Sequence, residues 1–260
     1  TDLQLDILGL ASRVLVTAVV TPQSTVEAGK AMDVVDSNEI ARREEFAFSE
    51  AIRLVPGLRV QQLGGPGSFT RILTRGLRAT DTGILLDGMR FRDVASVQGD
   101  ATAYLGDLQL VDTDRIEVLR GLGSSTYGTN STAGVINLVT DQGGGRTHGE
   151  VSGEGGGLGL FRGLAKVAGG LHNDRIQYSL GLAHLNVNGG VDGVELVRNT
   201  SGQGYLLFRP SATSSLSARV LATGSTVGIN SNPQAAPASN LPTTTVITAI
   251  PLAEDQARLA

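Results

Sequence analysis

The stretch from Asp114 to Thr140, DRIEVLRGLGSSTYGTNSTAGVINLVT, constrains the fold more than any other part of the chain. Its first part, Arg115 to Arg120, alternates with the two-residue period of a β-strand, and its last part, Val135 to Thr140, is rich in β-branched residues. The glycines between them exclude a helix and supply backbone freedom. This stretch therefore predicts a strand, a glycine loop and a second strand, at the junction between a mixed region and a glycine-rich region without helical periodicity.

Two motifs resemble the plug domain of the TonB-dependent outer-membrane receptors. RIEVLRG, SSTYG and AGVINLVT within the first stretch are similar to the end of that domain. Upstream, Ile72 to Asp93, ILTRGLRATDTGILLDGMRFRD, is similar to the plug core, where an Arg-Gly strand end precedes an apolar strand and an Asp-Gly turn. Both motifs occur in the order of the family, and the resemblance covers about residues 15–142.

The resemblance implies an α+β plug domain with a small mixed sheet and short helices, followed by antiparallel strands of a transmembrane β-barrel. We expect residues 1–12 to be the end of an upstream β-sandwich module or a frayed terminus. Residues 13–30 are expected to hold a TonB box and linker, residues 31–142 the plug, and residues 143–260 the first barrel strands. A barrel that holds a plug needs about 22 strands, so we expect the chain to be a fragment of one.

The region after residue 143 carries the alternation of barrel strands. In the clearest example, the four apolar positions Ile176, Tyr178, Leu180 and Leu182 alternate with the small or polar residues Gln177, Ser179, Gly181 and Ala183. This pattern is typical of a strand with an apolar outer face and a polar inner face. The same residues, taken without the resemblance, also fit a soluble β-sandwich with polar turns.

Local signals predict the start of the plug region. Asp36, with Glu39 three residues later, is typical of a helix N-terminus. A second helix is predicted over about Phe48–Val55, where apolar residues share one face. Asp87-Gly88 predicts a tight hairpin turn.

The segment RVLVTA resembles the TonB box, a short extended element ahead of the plug. It consists of Arg13, Val14, Leu15, Val16, Thr17 and Ala18. Its β-forming residues suit the addition of one strand to the sheet edge of a partner, in which main-chain hydrogen bonds supply affinity. The alternative is a plug strand that stays packed. The resemblance places this N-terminal segment in the periplasm and names TonB as its partner.

Three charged residues are expected at the contact between plug and barrel. Arg75 and Arg120 each precede a glycine at a strand end, and the resemblance implies that such arginines face carboxylates on the inner barrel wall. Arginine suits this role because its planar guanidinium donates two hydrogen bonds to one carboxylate. Glu117 is the third predicted contact residue. The alternative for the arginines is simple exposure to solvent at the strand ends.

The loops of the plug are expected to contact the ligand. By resemblance to cobalamin receptors, the contacts fall at Phe69, Arg71, Arg78, Ser96 and Val97. Arg71, Arg78 and Arg92 favour an anionic ligand such as a ferric siderophore, although solvated loop charges explain them equally well. Cobalamin and oligosaccharides are the other ligand classes that the resemblance implies.

Enzymatic chemistry is not predicted. The chain has no cysteine, and His148, His172 and His184 lack metal-ligand spacing. The glycine loop lacks the lysine of a phosphate-binding loop, and no serine lies in a nucleophile elbow. The net charge of −4 gives no basic footprint for nucleic acid. We therefore expect neither a catalytic site nor a cofactor or bound metal.

The predicted function is energised uptake of a scarce ligand across the bacterial outer membrane, with TonB, membrane lipid and the ligand as partners. Two other functions fit the residues: a signalling or surface-binding barrel without transport, and a soluble carbohydrate-binding β-protein.

Overall fold

The computed structural model describes residues 14–15, 23–24, 31–121, 123, 127–189, 195–211, 213–229 and 255–259. In the N-terminal segment, strands β1 (Val14–Leu15) and β2 (Gln23–Ser24) pair antiparallel. The module predicted for residues 1–12 lies outside the described residues.

The predicted plug, here called the plug region (residues 31–142), contains a small mixed sheet as expected. Its elements are β3 (Ala31–Asp36), α1 (Ser37–Arg42), α2 (Phe48–Ala51), β4 (Leu58–Gln62), β5 (Thr70–Thr74), β6 (Thr82–Leu86), β7 (Met89–Arg90), β8 (Thr113–Arg120) and β9 (Gly134–Thr140), with 3-10 turns at Ala79–Asp81 and Thr102–Tyr104. The strand order is β3-β8-β9-β6-β7, with β6 and β9 parallel and the other pairs antiparallel. Strands β4 and β5 form a separate antiparallel ribbon.

Strands β8 and β9, which contain the two ends of the stretch from Asp114 to Thr140, are buried on both faces of this sheet. One face packs Ile116 and Ile136 against Phe48 and Ile52, and all four side chains are almost fully buried. The opposite face packs Leu119 against its own cluster of apolar residues. Burial on both faces explains why the predicted strand pair is the centre of the plug region.

Local sequence signals predicted the start of α1 correctly but predicted α2 only in part. Asp36 caps α1 as predicted, because its Oδ1 accepts a hydrogen bond from the backbone N–H of Glu39 at 2.8 Å. The prediction that α2 reaches Val55 is wrong, since the helix ends at Ala51. Beyond that point the chain forms turns, shown by the i→i−3 bond from Val55 N to Ile52 O at 3.1 Å. The apolar spacing is preserved, but the backbone is no longer α-helical.

The C-terminal region forms one antiparallel meander, here called the long-strand sheet. Its strands are β10 (His148–Gly155), β11 (Phe161–Leu171), β12 (Ile176–Gly189), β13 (Glu195–Ser211), β14 (Ser214–Ile229) and β15 (Asp255–Leu259). Outward-facing Leu180 and Leu182 are 58% and 56% exposed, whereas inward-facing Ser179 and Ala183 are each 1% exposed. The plug region covers the inner face, and the exposed leucines lie on the opposite face. The predicted apolar outer face is therefore confirmed. Among the described residues, no helix is long and apolar enough to cross a membrane.

Candidate functional site: contacts of the plug region and its exposed loops

The segment from Gly106 to Asp112 of the plug region lies along the inner face of the long-strand sheet. Asn199 on β13 donates its side-chain N–H to the backbone carbonyl of Asp107 at 2.9 Å. Gln109 returns a side-chain hydrogen bond to the backbone carbonyl of Asn199 at 3.3 Å. Asn199 is buried, so each polar group at this contact depends on the other side for its hydrogen bonds.

The same contact is closely packed around two glycines. A β-carbon at Gly181 on β12 would lie 2.7 Å from Val111 Cγ1 of the plug region. A β-carbon at Gly67, in the loop between β4 and β5, would lie 3.1 Å from Val197 Cγ1 and 3.2 Å from Val227 Cγ2. Because all three distances are shorter than ordinary carbon contacts, glycine allows the plug region to approach β12, β13 and β14 this closely.

Three buried carboxylates of the plug region meet the long-strand sheet. Asp112 accepts a hydrogen bond from Ser179 Oγ, and Asp87 Oδ2 lies 3.2 Å from Arg219 Nε. Burial raises the pKa of Asp112 and that of the third carboxyl, Asp107. A raised pKa favours the neutral acid, which costs less to bury beside neutral hydroxyl and amide groups. These three acidic side chains of the contact therefore belong to the plug region.

The predicted contact residues Arg120 and Glu117 have partners inside the plug region. Arg120 Nη2 lies 2.7 Å from Asp33 Oδ2. Glu117 is fully buried and accepts hydrogen bonds from Arg115 Nε at 2.8 Å and Asn137 Nδ2 at 3.4 Å. These contacts place Glu117 in the interior of the mixed sheet.

Arg75 lies at the same corner of the plug region as Arg120. Its backbone N–H donates to Gly57 O at 2.8 Å, and a β-carbon at Gly57 would lie 3.5 Å from Arg120 Cδ. Arg75 is exposed and has a left-handed backbone with φ 52°. The structure therefore brings the two predicted arginines together, and their contact with barrel carboxylates stays a prediction.

Two residues of the predicted TonB box are described. Val14 pairs with Ser24 and Leu15 with Gln23 in the β1–β2 ribbon. Arg13, Val16, Thr17 and Ala18 lie outside the described residues. The described pair is extended, as strand addition to a partner requires.

The predicted ligand residues are divided between the two ends of β5. Phe69 is 43% exposed, and the Arg71 guanidinium carbon lies 4.9 Å from its ring centroid. Arg78 follows the other end of this five-residue strand, about 13 Å further along. There its guanidinium donates two hydrogen bonds to Asp81, each 3.1 Å long. The structure brings Phe69 and Arg71 together and separates Arg78 from them.

The remaining predicted ligand residues lie in the loop after β7. Val97 is fully exposed, and Ser96 Oγ donates to Asp100 Oδ1 at 3.3 Å. Among the described residues, no group of three or more histidine and carboxylate side chains is arranged to hold a metal ion.

Sequence reasoning missed the pair formed by Asp87 and Arg219. Asp87 was expected only as a turn residue, and it does have a turn conformation with φ 49°. Arg219 lies over the ring of Tyr205, 4.7 Å from its centroid. The available signal is that Arg219 takes an inward position in a strand, where a charged residue needs a partner.

Comparison with known proteins gives a family match for the first half of the chain. The family model described as TonB-dependent Receptor Plug Domain matches residues 24–135.

Solved structures share the fold over most of the chain. The alcaligin outer-membrane receptor FauA from Bordetella pertussis is 17% identical, with a TM-score of 0.69 over 83% of this chain and 35% of that receptor. The ferripyoverdine receptor of Pseudomonas aeruginosa is 18% identical, with a TM-score of 0.67 over 83% and 28%. The ferric yersiniabactin uptake receptor FyuA from Yersinia pestis is 20% identical, with a TM-score of 0.61 over 77% and 32%. The chain thus spans roughly a third of the length of these proteins.

Proposed function

We propose that this chain, whose residues 24–135 match the TonB-dependent receptor plug domain, takes up a scarce extracellular ligand across the outer membrane with energy supplied through TonB. The observation that carries this proposal is the packing of the plug region on the inner face of a sheet with an apolar outer face. We place the N-terminal segment in the periplasm, where TonB can reach it.

The character of the contact supports a plug that loosens and returns. Hydrogen bonds such as that from Asn199 to Asp107 can be replaced by hydrogen bonds to water when the two surfaces separate. A wholly apolar contact resists separation more strongly, because it loses about 25 cal/mol for each Å² exposed to water. A closely fitted contact that includes such hydrogen bonds therefore suits a closed state that force can open.

Leu15→Pro is expected to abolish energised uptake while ligand binding is retained. Proline removes the backbone N–H that strand addition to TonB needs, and its ring disturbs the extended pair with Gln23. Loss of one or two main-chain hydrogen bonds predicts a fall of at least about 10-fold in uptake. Uptake of a ferric siderophore into cells, with and without a proton-motive force, measures the effect.

Leu15→Ala is the matched control, because it keeps the N–H and removes only the side chain. Equal uptake by Leu15→Pro and the unchanged protein would exclude strand addition at this position. Ligand binding by the unchanged protein without energised uptake would instead support a surface-binding or signalling barrel.

For the ligand we propose an anionic ferric siderophore that contacts Phe69 and Arg71. The three similar structures are receptors for ferric yersiniabactin, ferripyoverdine and alcaligin. In this chain the charge of Arg78 is balanced by Asp81, whereas Arg71 presents its charge beside an exposed aromatic ring. An aromatic face with an adjacent cation suits an anionic ligand with a flat, apolar part.

Arg71→Ala is expected to weaken ferric siderophore binding by about 10-fold, the effect of one lost hydrogen bond to a charged group. The control is Arg59→Ala, since Arg59 is an exposed arginine on β4 of the same ribbon. Binding to the purified protein is measured by titration with a panel of ferric siderophores. Identical affinities for the Arg71 and Arg59 variants across the panel would refute the proposed contact.

A further inference from the structure

We infer that the ligand path opens between the plug region and strand β14, and that the ion pair of Asp87 with Arg219 closes it. This inference rests on the proposed uptake function. A cavity of about 170 Å³ already separates the two surfaces there. It is lined by Phe91, Tyr104, Asp107 and Leu108 of the plug region and by Leu221, Thr223 and Ser225 of β14.

The ion pair closes this cavity because of where Arg219 lies on β14. Inward positions on β14 follow one another every second residue, so Arg219 occupies the inward position next to Leu221. Asp87 meets Arg219 from the plug region at 3.2 Å. The ion pair therefore lies one inward position beyond the part of β14 that lines the cavity.

The Asp87 carboxylate also binds the point where the chain leaves the plug region. Its Oδ1 accepts from Thr140 N at 2.8 Å, and its Oδ2 accepts from Thr140 Oγ1 at 2.9 Å. Thr140 is the last residue of β9. The Asp87 side chain therefore connects its own turn to the end of β9 and to β14. A movement of β9 would therefore act directly on the ion pair of Asp87 with Arg219.

The contact with β12 is built differently. There Val111 packs on Gly181 and forms an apolar cluster with Leu164 and Ala183. A second cleft, of about 140 Å³, lies between α1 and strands β10 and β11. That cleft borders the same apolar cluster, which must be exposed to water if it widens. Opening at β14 separates a partly exposed ion pair and the contacts of Leu221 and Val227 with the plug region, next to an existing cavity.

Paired cysteines test which side of the plug region must separate. The chain has no cysteine, so each introduced pair is unique within it. Tyr104→Cys with Thr223→Cys places thiols on opposite walls of the cavity, and Val111→Cys with Ala183→Cys places them across the apolar contact. Each pair is joined by a reducible bifunctional thiol reagent, and energised uptake of a ferric siderophore is then measured.

We expect the cavity tether to lower uptake at least about 10-fold, which corresponds to about 1.4 kcal/mol, with recovery on reduction. The Val111–Ala183 tether is expected to leave uptake within about twofold. Uptake blocked by both tethers, or unaffected by the cavity tether, overturns it. Absence of uptake before any tether is added counts against the proposed function itself.

The closure is tested separately by passive leakage, which needs no TonB. Arg219→Gln is expected to raise entry of a chromogenic β-lactam into unenergised cells about 10-fold, the effect of losing one charged hydrogen bond. Arg219→Lys, which keeps the charge, should stay closer to the unchanged protein. The control is Arg198→Gln, an exposed arginine on the outer face of β13. Leakage that is unchanged in Arg219→Gln, or equally raised in Arg198→Gln, contradicts the role of the ion pair.

Discussion

Replacing Phe48 with alanine is expected to lower the free energy of unfolding of the plug region by about 3–5 kcal/mol. Phe48 is fully buried at the start of α2 and belongs to the main apolar cluster with Ile116 and Ile136. Its backbone N–H donates to Leu108 O at 3.0 Å, a bond that alanine keeps. The expected loss is therefore the lost side-chain packing and the cavity left behind. Hydrogen exchange of the β8 and β9 amides in increasing urea measures it.

The matched control for Phe48 is Leu54→Ala. Leu54 lies six positions later but is 68% exposed, so its truncation is expected to change stability by no more than about 0.5 kcal/mol. A loss below about 1 kcal/mol in Phe48→Ala would show that the cluster can collapse around the missing ring.

Replacing Gly143 with alanine is expected to destabilise the passage from the plug region to the long-strand sheet by about 2–5 kcal/mol. A β-carbon there would lie 2.2 Å from the backbone oxygen of Tyr178 and 2.8 Å from that of Gly169. Because both neighbours are backbone atoms of paired strands, they cannot turn aside as a side chain would. Gly143 also has φ +71°, which adds strain for any residue with a β-carbon.

Gly145→Ala separates these two causes. Gly145 has a similar φ of +65°, but a β-carbon there would meet no atom within 4 Å. Its substitution should cost only the left-handed backbone strain, about 1 kcal/mol. Urea unfolding of the detergent-solubilised protein compares the two variants. Equal midpoints would mean that the connection shifts away from β11 and β12 without cost.

The parts of the fold that sequence predicted correctly depend on neighbours in the chain. The cap from Asp36 to Glu39 spans three residues, so composition and spacing sufficed to predict it. The strand and loop pattern of the central stretch rested on two-residue alternation and on glycines. The helix prediction at Phe48 succeeded in its start and failed in its end, because the apolar spacing of the turns after Ala51 resembles that of a helix.

The candidate site was harder to predict because its contacts join distant parts of the chain. The antiparallel pairing of β3 with β8 brings Asp33 within 2.7 Å of Arg120, a contact that the sequence did not predict, and the expected pairing of Arg120 with a barrel carboxylate stays a prediction. Phe69 and Arg78 were grouped by resemblance, and the extended path of β5 separates them. Asp87 and Arg219 are 132 residues apart in sequence, and neither has a local pattern that names the other.

By itself the sequence determined the kinds of element and which face of each long strand is apolar, since alternation and backbone freedom are properties of adjacent residues. Only the tertiary structure decided which side chains meet across the two sheets. A carboxylate such as Asp87 looks the same in any Asp-Gly turn, and its role depends on the strand that packing brings to it. That neighbouring strand is set by contacts between residues more than a hundred positions apart, and no local sequence pattern predicts it.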